Sequence, residues 1–99
     1  MLLNARVLES AKEYIEGLKE SEQGIIRANI ETMRTGDFDS VHTKYLRNRI
    51  RELIVGNHRI TYFQISNNLY FVRGFRKKSA KTPRKEIEYA EKIRNATIA

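Results

Sequence analysis

Few folds accept the stretch "RIRELIVGNHRITYFQISNNLYFVRGF", residues 49–75. "RIRELIV" alternates apolar and polar residues, and "GNH" supplies a turn. "RITYFQI" is rich in β-branched and aromatic residues, "SNN" makes a second turn, and "LYFVRGF" closes the series. Strands joined by connections this short pair with their sequence neighbours, so the stretch predicts an antiparallel meander. A meander needs a partner layer to cover its apolar side.

The flanking segments offer helices for that layer. "LLNARVL", Leu2–Leu8, predicts a short first strand. Ser10 and Glu13 in "SAKE" have capping-box spacing, and Ala11, Tyr14, Ile15 and Leu18 recur at helical intervals, so a first helix is expected to about Lys19. After a break at "ESEQG", residues Ile25, Ile26, Ile30 and Met33 predict a second amphipathic helix that stops at Gly36. "DFDSVHTKY" is polar and turn-like, and its His42 is expected in an exposed loop. "TPRKEIEYAEKIRNA" starts with Thr82 at an N-cap and Pro83 at the first helical position, and Ile87, Ala90 and Ile93 form a narrow apolar stripe. The expected fold is a single α+β domain over residues 1–99 in the order β-α-α-β-β-β-α. A helical hairpin covers one face of the small antiparallel sheet, and a C-terminal helix completes it.

Charge divides the chain. Residues 1–43 hold five Lys/Arg against eight Asp/Glu, whereas residues 44–99 hold fourteen against four. The densest run, "GFRKKSAKTPRKE", carries six positive charges and one negative. Like charges repel, so such a run implies a polyanionic partner, nucleic acid before an anionic membrane. The run lacks the broad apolar face that an interfacial helix inserts. A solvated charged face is the plainer alternative.

Alternation then sorts the strand residues. Arg59, Thr61, Phe63 and Ile65 share one face of the middle strand, with His58, Ile60, Tyr62 and Gln64 opposite. Ile50, Glu52 and Ile54 oppose Arg51, Leu53 and Val55. In the last strand, period two groups Leu69, Phe71, Arg73, Phe75 and Lys77. A face carrying Glu52, Arg59, Arg73 and Lys77 would hold one carboxylate among three cations. Tyr62, Phe63, Tyr70 and Phe71 fit core positions.

Several chemistries have no residues to carry them. Cysteine is absent, which removes disulfides, thiolate metal sites and thiol nucleophiles. His42 and His58 lack the spacing of a metal site. No cofactor motif is present, and a fold without disulfides suits the cytoplasm. The N-terminus meets charge too early for the apolar region of a signal peptide.

Three motifs resemble the RelE/HigB family of toxins from type II toxin–antitoxin modules, in particular its phage-derived HigB-like branch. "RELIV" (Arg51–Val55) resembles the family's Glu-Leu strand, and "HRITYF" (His58–Phe63) its "YRILYF" strand. "GFRKKSAKTPRKEIEYAEK" (Gly74–Lys92) resembles the branch signature of Gly-Phe, paired Lys, Thr-Pro and a Glu- and Ala-containing helix. The resemblance implies a ribosome-dependent endoribonuclease that cuts mRNA and inhibits translation. It implies an antitoxin partner, often a helix-turn-helix protein, through which operator DNA is bound. The family's strand arginine falls on Arg59, its basic C-terminal strand residues on Lys77 and Lys78, and the branch carboxylate on Glu52. Two positions depart from the pattern: Ile54 stands where Arg is common, and Arg73 where His is common. The C-terminal Tyr or His of some relatives is also missing.

Such an enzyme needs no metal, because the RNA 2′-hydroxyl is the nucleophile. The expected catalytic set is Arg59 and Arg73 on the phosphate, Lys77 as a further clamp or proton carrier, and Glu52 as base. Arg76, Lys78, Lys81, Arg84 and Lys85 are expected to hold RNA of the message or ribosome. His58 is a poorer base, being on the face opposite Arg59, and a structural role fits it better. Two alternatives stand beside this reading: a non-catalytic nucleic-acid-binding module, and an inactive homologue retained as an interaction or repressor subunit.

Overall fold

The computed structural model describes residues 2–99. Its elements are β1 (Asn4–Val7), α1 (Glu9–Glu16), α2 (Glu20–Arg34), β2 (His42–Arg47), β3 (Ile50–Val55), β4 (His58–Ile65), β5 (Asn68–Arg76) and α3 (Arg84–Ile98). The strands form one sheet in the order β1-β5-β4-β3-β2. β3, β4 and β5 are the predicted antiparallel meander. β1 lies parallel to β5. The helical pair therefore carries the chain from β1 at one edge of the sheet to β2 at the other.

β2 is a strand where the sequence predicts a polar turn. It is an edge strand, mostly solvent-facing, with an exposure pattern that never becomes fully buried. His42 therefore sits in a strand paired with Ile54, not in a loop. Helix boundaries also shift. α1 starts at Glu9 behind Leu8, so Ser10 lies within the helix and makes no capping box. α1 ends at Glu16, and the break falls at residues 17–19, leaving "ESEQG" as the first turns of α2. Pro83 is the cap of α3 rather than its first helical residue. Its fixed φ, here −56°, suits the entry to a helix from outside.

The sheet is buried on both faces, which explains why neither face reads as purely apolar. Ala11 and Ile15 of α1 and Ile26, Ile30 and Met33 of α2 pack on Leu53, Ile60, Tyr62, Leu69 and Phe71. On the opposite face Ala90 of α3 packs with Ile50, Phe63 and Val72, flanked by Leu46, Ile65, Tyr70, Tyr89 and Ile93. The four strand aromatics divide between the layers. Tyr62 lies 5.6 Å from Phe71 under the helical pair, and Phe63 stacks on Tyr70 at 5.1 Å under α3.

Alternation gives the correct faces for β3 and β4 but fails midway along β5. Thr61 pairs with Arg73 and Tyr62 with Phe71, so Val72 is an extra residue on β5. This is a β-bulge. Leu69 and Phe71 face the helical pair, and Arg73 and Phe75 face the other way, correcting the single-face grouping. Gly74 then points at α1. A Cβ there would stand 2.6 Å from Tyr14 Cγ, closer than packed carbons allow. Gly74→Ala is therefore expected to lower stability by about 1–3 kcal/mol, the usual cost of forcing extra volume into a packed site. Urea unfolding measures it; an unchanged midpoint would refute the close approach.

One polar cluster ties the layers. His58 is buried; its Nδ1 is 2.6 Å from the Tyr14 hydroxyl and its Nε2 2.8 Å from Glu22 Oε2. The imidazole thus joins β4 to both helices, the structural role expected of it. The hydrogen bond from His58 holds the Glu22 carboxyl below its ordinary 4.5. A depressed folded value means stabilisation is present above the unfolded value and is lost as pH falls through the folded one. Glu22→Gln should thus melt below wild type by a constant interval above about pH 5, and the interval should close in more acidic solution. Melting curves across pH test this; an interval that does not narrow would refute it.

Candidate functional site

The α3 face of the sheet is open beyond the N-terminus of α3, and the loop Lys77–Pro83 curls over that opening. The result is a hollow of about 260 Å³. Strand register explains who lines it. Lys44 pairs with Glu52, His42 with Ile54, Ile54 with Arg59, and Arg59 with Phe75, so these side chains form adjacent rows on one face. Lys77 follows β5, its N–H donating to Asn57 O at 2.7 Å. Lys78, Lys81 and Thr82 come from the loop. Arg59, Lys44, Lys77, Lys78 and Lys81 therefore surround the single carboxylate of Glu52.

Glu52 and Arg59 make the floor. Glu52 is only 3% exposed. Its Oε1 accepts the Thr82 hydroxyl at 2.8 Å, and its Oε2 lies 4.0 Å from Arg59 Nε. Arg59 Nη1 donates to Gly56 O at 2.8 Å and to His58 O at 3.0 Å. Gly56, with φ +58°, makes the tight β3–β4 turn that presents this carbonyl. The guanidinium is thereby fixed by its own hairpin and by a buried carboxylate. The lysines at the rim are exposed by comparison.

The other expected site residues are dispersed. Arg73 does not line the hollow. Its Nε donates to Glu86 Oε1 at 2.8 Å, and its guanidinium stacks on Tyr89 at 3.9 Å. The buried carboxylate on the first turn of α3 thus holds it beneath that helix. Arg76 is on the other side of the sheet, lining a separate hollow with Glu22, Ile25 and His58. Arg84 pairs with Glu88 at 3.1 Å along the exposed face of α3, and Lys85 is exposed beside it. Of the nine residues named from the sequence, Glu52, Arg59, Lys77, Lys78 and Lys81 converge. His42, Lys44 and Thr82 join them. His42 and Lys44 belong to the strand that its polarity conceals, and Thr82 reads in the sequence as a helix cap.

The arrangement is suited to an extended polyanion. Arg59 offers a positioned fork at the floor, and lysines offer point charges around it. Glu52 orients Arg59 and, through Thr82, anchors the loop; His42 adds an imidazole able to accept or donate a proton. Among the described residues no helix is long and apolar enough to cross a membrane.

This fold is found in RelE proteins. The chain is similar in structure to the RelBE2 toxin–antitoxin complex of Mycobacterium tuberculosis, with a TM-score of 0.65 at 13% identity, covering 80% of this chain and 95% of that one. It is similar to the RelB–RelE antitoxin–toxin complex of Methanococcus jannaschii, with a TM-score of 0.62 at 15% identity, covering 84% and 94%. The archaeal RelE–RelB complex of Pyrococcus horikoshii OT3 matches with a TM-score of 0.59 at 10% identity, covering 81% and 100%. No curated protein matches in sequence. Residues 13–95 match the family described as phage-derived protein Gp49-like, and the chain belongs to that family. The RelE-like α+β fold expected from the resemblance is thus the fold observed.

Proposed function

We propose that residues 1–99 act as the toxin of a type II toxin–antitoxin module, of the HigB-like kind, cutting mRNA on the translating ribosome. The observation that carries this reading is the hollow in which Arg59, Lys44, Lys77, Lys78 and Lys81 surround Glu52. A bent RNA strand held there would have its scissile phosphate over Arg59 and its flanking phosphates among the lysines. The 2′-hydroxyl would lose its proton and attack the neighbouring phosphorus, breaking the bond to the 5′-oxygen of the next nucleotide. That oxygen would leave as a hydroxyl on taking up a proton, with a 2′,3′-cyclic phosphate on the other fragment. Orienting that group and neutralising charge on the phosphate are the protein's main tasks. Glu52, His42 and Lys77 are candidates in the hollow for moving protons. A cognate helix-turn-helix antitoxin would silence the protein and link it to operator DNA. Three of the structural neighbours are toxin–antitoxin complexes, which supports such a partner.

The test is induction in a bacterium with mapping of 5′ ends on translated messages, repeated on purified translating ribosomes. Growth arrest with cuts at codon positions is the expected result. Normal growth with intact messages would overturn the assignment. One observation favours a second reading, a non-catalytic RNA-binding module: both oxygens of Glu52 and one arm of Arg59 already have partners inside the protein. RNA binding without any cleavage would select it.

A further inference from the structure

A second hollow, of about 500 Å³, lies at the far end of α3 and is lined by Asn48, Arg49, Glu91, Arg94 and Asn95. Its charges are unbalanced once the pairings are followed. Glu91 accepts from Arg47 Nε at 3.1 Å and Nη2 at 3.0 Å, and also from Asn48 Nδ2. Those partners hold its carboxyl below the ordinary value. The carboxylate lining the hollow is therefore occupied by Arg47, and Arg49 and Arg94 are not neutralised by it.

Two further features favour an acceptor from outside the chain. Arg94 Nε is buried without a hydrogen-bond partner among the described residues. An unmet buried donor is costly, and an incoming anion would remove that cost. Arg49 stands at φ +68°, beside Asn48 at φ +49°, in the two-residue turn between β2 and β3. Asn tolerates that region, whereas Arg is disfavoured there relative to a right-handed conformation. Glycine would build the turn with less strain, so the guanidinium is held at a strained position of the backbone.

Both hollows border the same two elements. β2 runs from His42 and Lys44 in the lysine hollow to Arg47 beside the second one. α3 leads from its cap Pro83, at the first, to Arg94 at the second. Lys44 to Asn48 spans about 13 Å at the rise of a strand. Pro83 to Arg94 spans about 16 Å at the rise of a helix. An RNA strand a few nucleotides long covers that interval.

We propose that the β2–β3 turn and the C-terminal half of α3 form a second phosphate site, in which Arg49 and Arg94 hold a phosphodiester of the RNA strand seated in the lysine hollow. This rests on the RNA-binding reading above. The ligand chemistry is a phosphate oxygen, and its source is the RNA backbone rather than free phosphate.

The test measures binding of a short single-stranded RNA by anisotropy across a salt series, for wild type and an Arg49→Gly, Arg94→Gln double variant. Arg27→Gln, which removes an exposed cation from α2 on the other side of the sheet, is the charge control. The double variant should bind several-fold more weakly at low salt. Its log-affinity against log-salt slope should be shallower by about 0.7 for each phosphate that the protein no longer neutralises. Arg49→Gly alone should not lower Tm, because glycine suits that φ. Inorganic phosphate should shift the backbone amide resonances of Asn48, Arg94 and Asn95, and the double variant should abolish those shifts. A slope matching the Arg27→Gln control, with Lys77→Ala and Lys78→Ala still lowering it, would remove the second site and leave the lysine hollow standing. Phosphate shifts with an unchanged RNA slope would mean free phosphate only and overturn the RNA assignment. No RNA binding by the wild type at low salt would overturn both readings.

Discussion

Lys77→Ala is expected to slow message cleavage on translating ribosomes by about 100-fold or more, the usual loss when one positioned donor is taken from a developing oxyanion. The fold should not register the change. The Lys77 side chain is exposed, and its attachment to the sheet is a main-chain bond to Asn57 that alanine keeps. Exposed substitutions without such ties stay within about 0.5 kcal/mol of wild type. Lys77→Arg should recover part of the rate, since charge is retained while reach and geometry change. Single-turnover cleavage beside thermal melting separates these effects. A variant as fast as wild type would remove Lys77 from the chemistry.

Arg59→Ala should be costly in a different way, lowering folding stability by about 3–5 kcal/mol, the range for breaking a buried ion pair from one side. Glu52 is 3% exposed and would be left with Thr82 as its remaining side-chain partner. The expected signature is non-additivity: in a Glu52→Gln background the same arginine substitution should cost less by about 0.5–3 kcal/mol. Chemical denaturation of the two single variants and the double variant closes the cycle. Equal costs in both backgrounds would show that the pair is uncoupled. Loss of cleavage in Arg59→Ala is therefore informative about chemistry only where the variant remains folded, and Lys77 is the cleaner probe.

The meander, the faces of β3 and β4, and the helical face of α2 are legible in the sequence because each depends on local periodicity. Arg59 and Lys77 line one hollow because β4 pairs Arg59 with Phe75 and Lys77 follows two residues on, tied by its N–H to Asn57. What escapes the sequence depends on distant partners. β2 is an edge strand that buries little, so its identity rests on pairing with β3 rather than on its own apolar content. The bulge at Val72 follows from how β5 is laid against β4, and no composition signal marks it. Alternation puts Arg73 on the face of Arg59, as observed, but Glu86 and Tyr89, which arrive with α3, hold it beneath that helix and out of the hollow. Thr82 has the look of a helix cap, whereas its hydroxyl reaches Glu52, a carboxylate far back in the chain.

The extra residue at Val72 puts the two halves of β5 out of phase. Before it, Leu69 and Phe71 answer to the interior under the helical pair; after it, the residues of the same parity, Arg73 and Phe75, answer to α3 and to the basic hollow. A single strand can keep an interior of fixed volume while the surface that meets an outside partner is retuned.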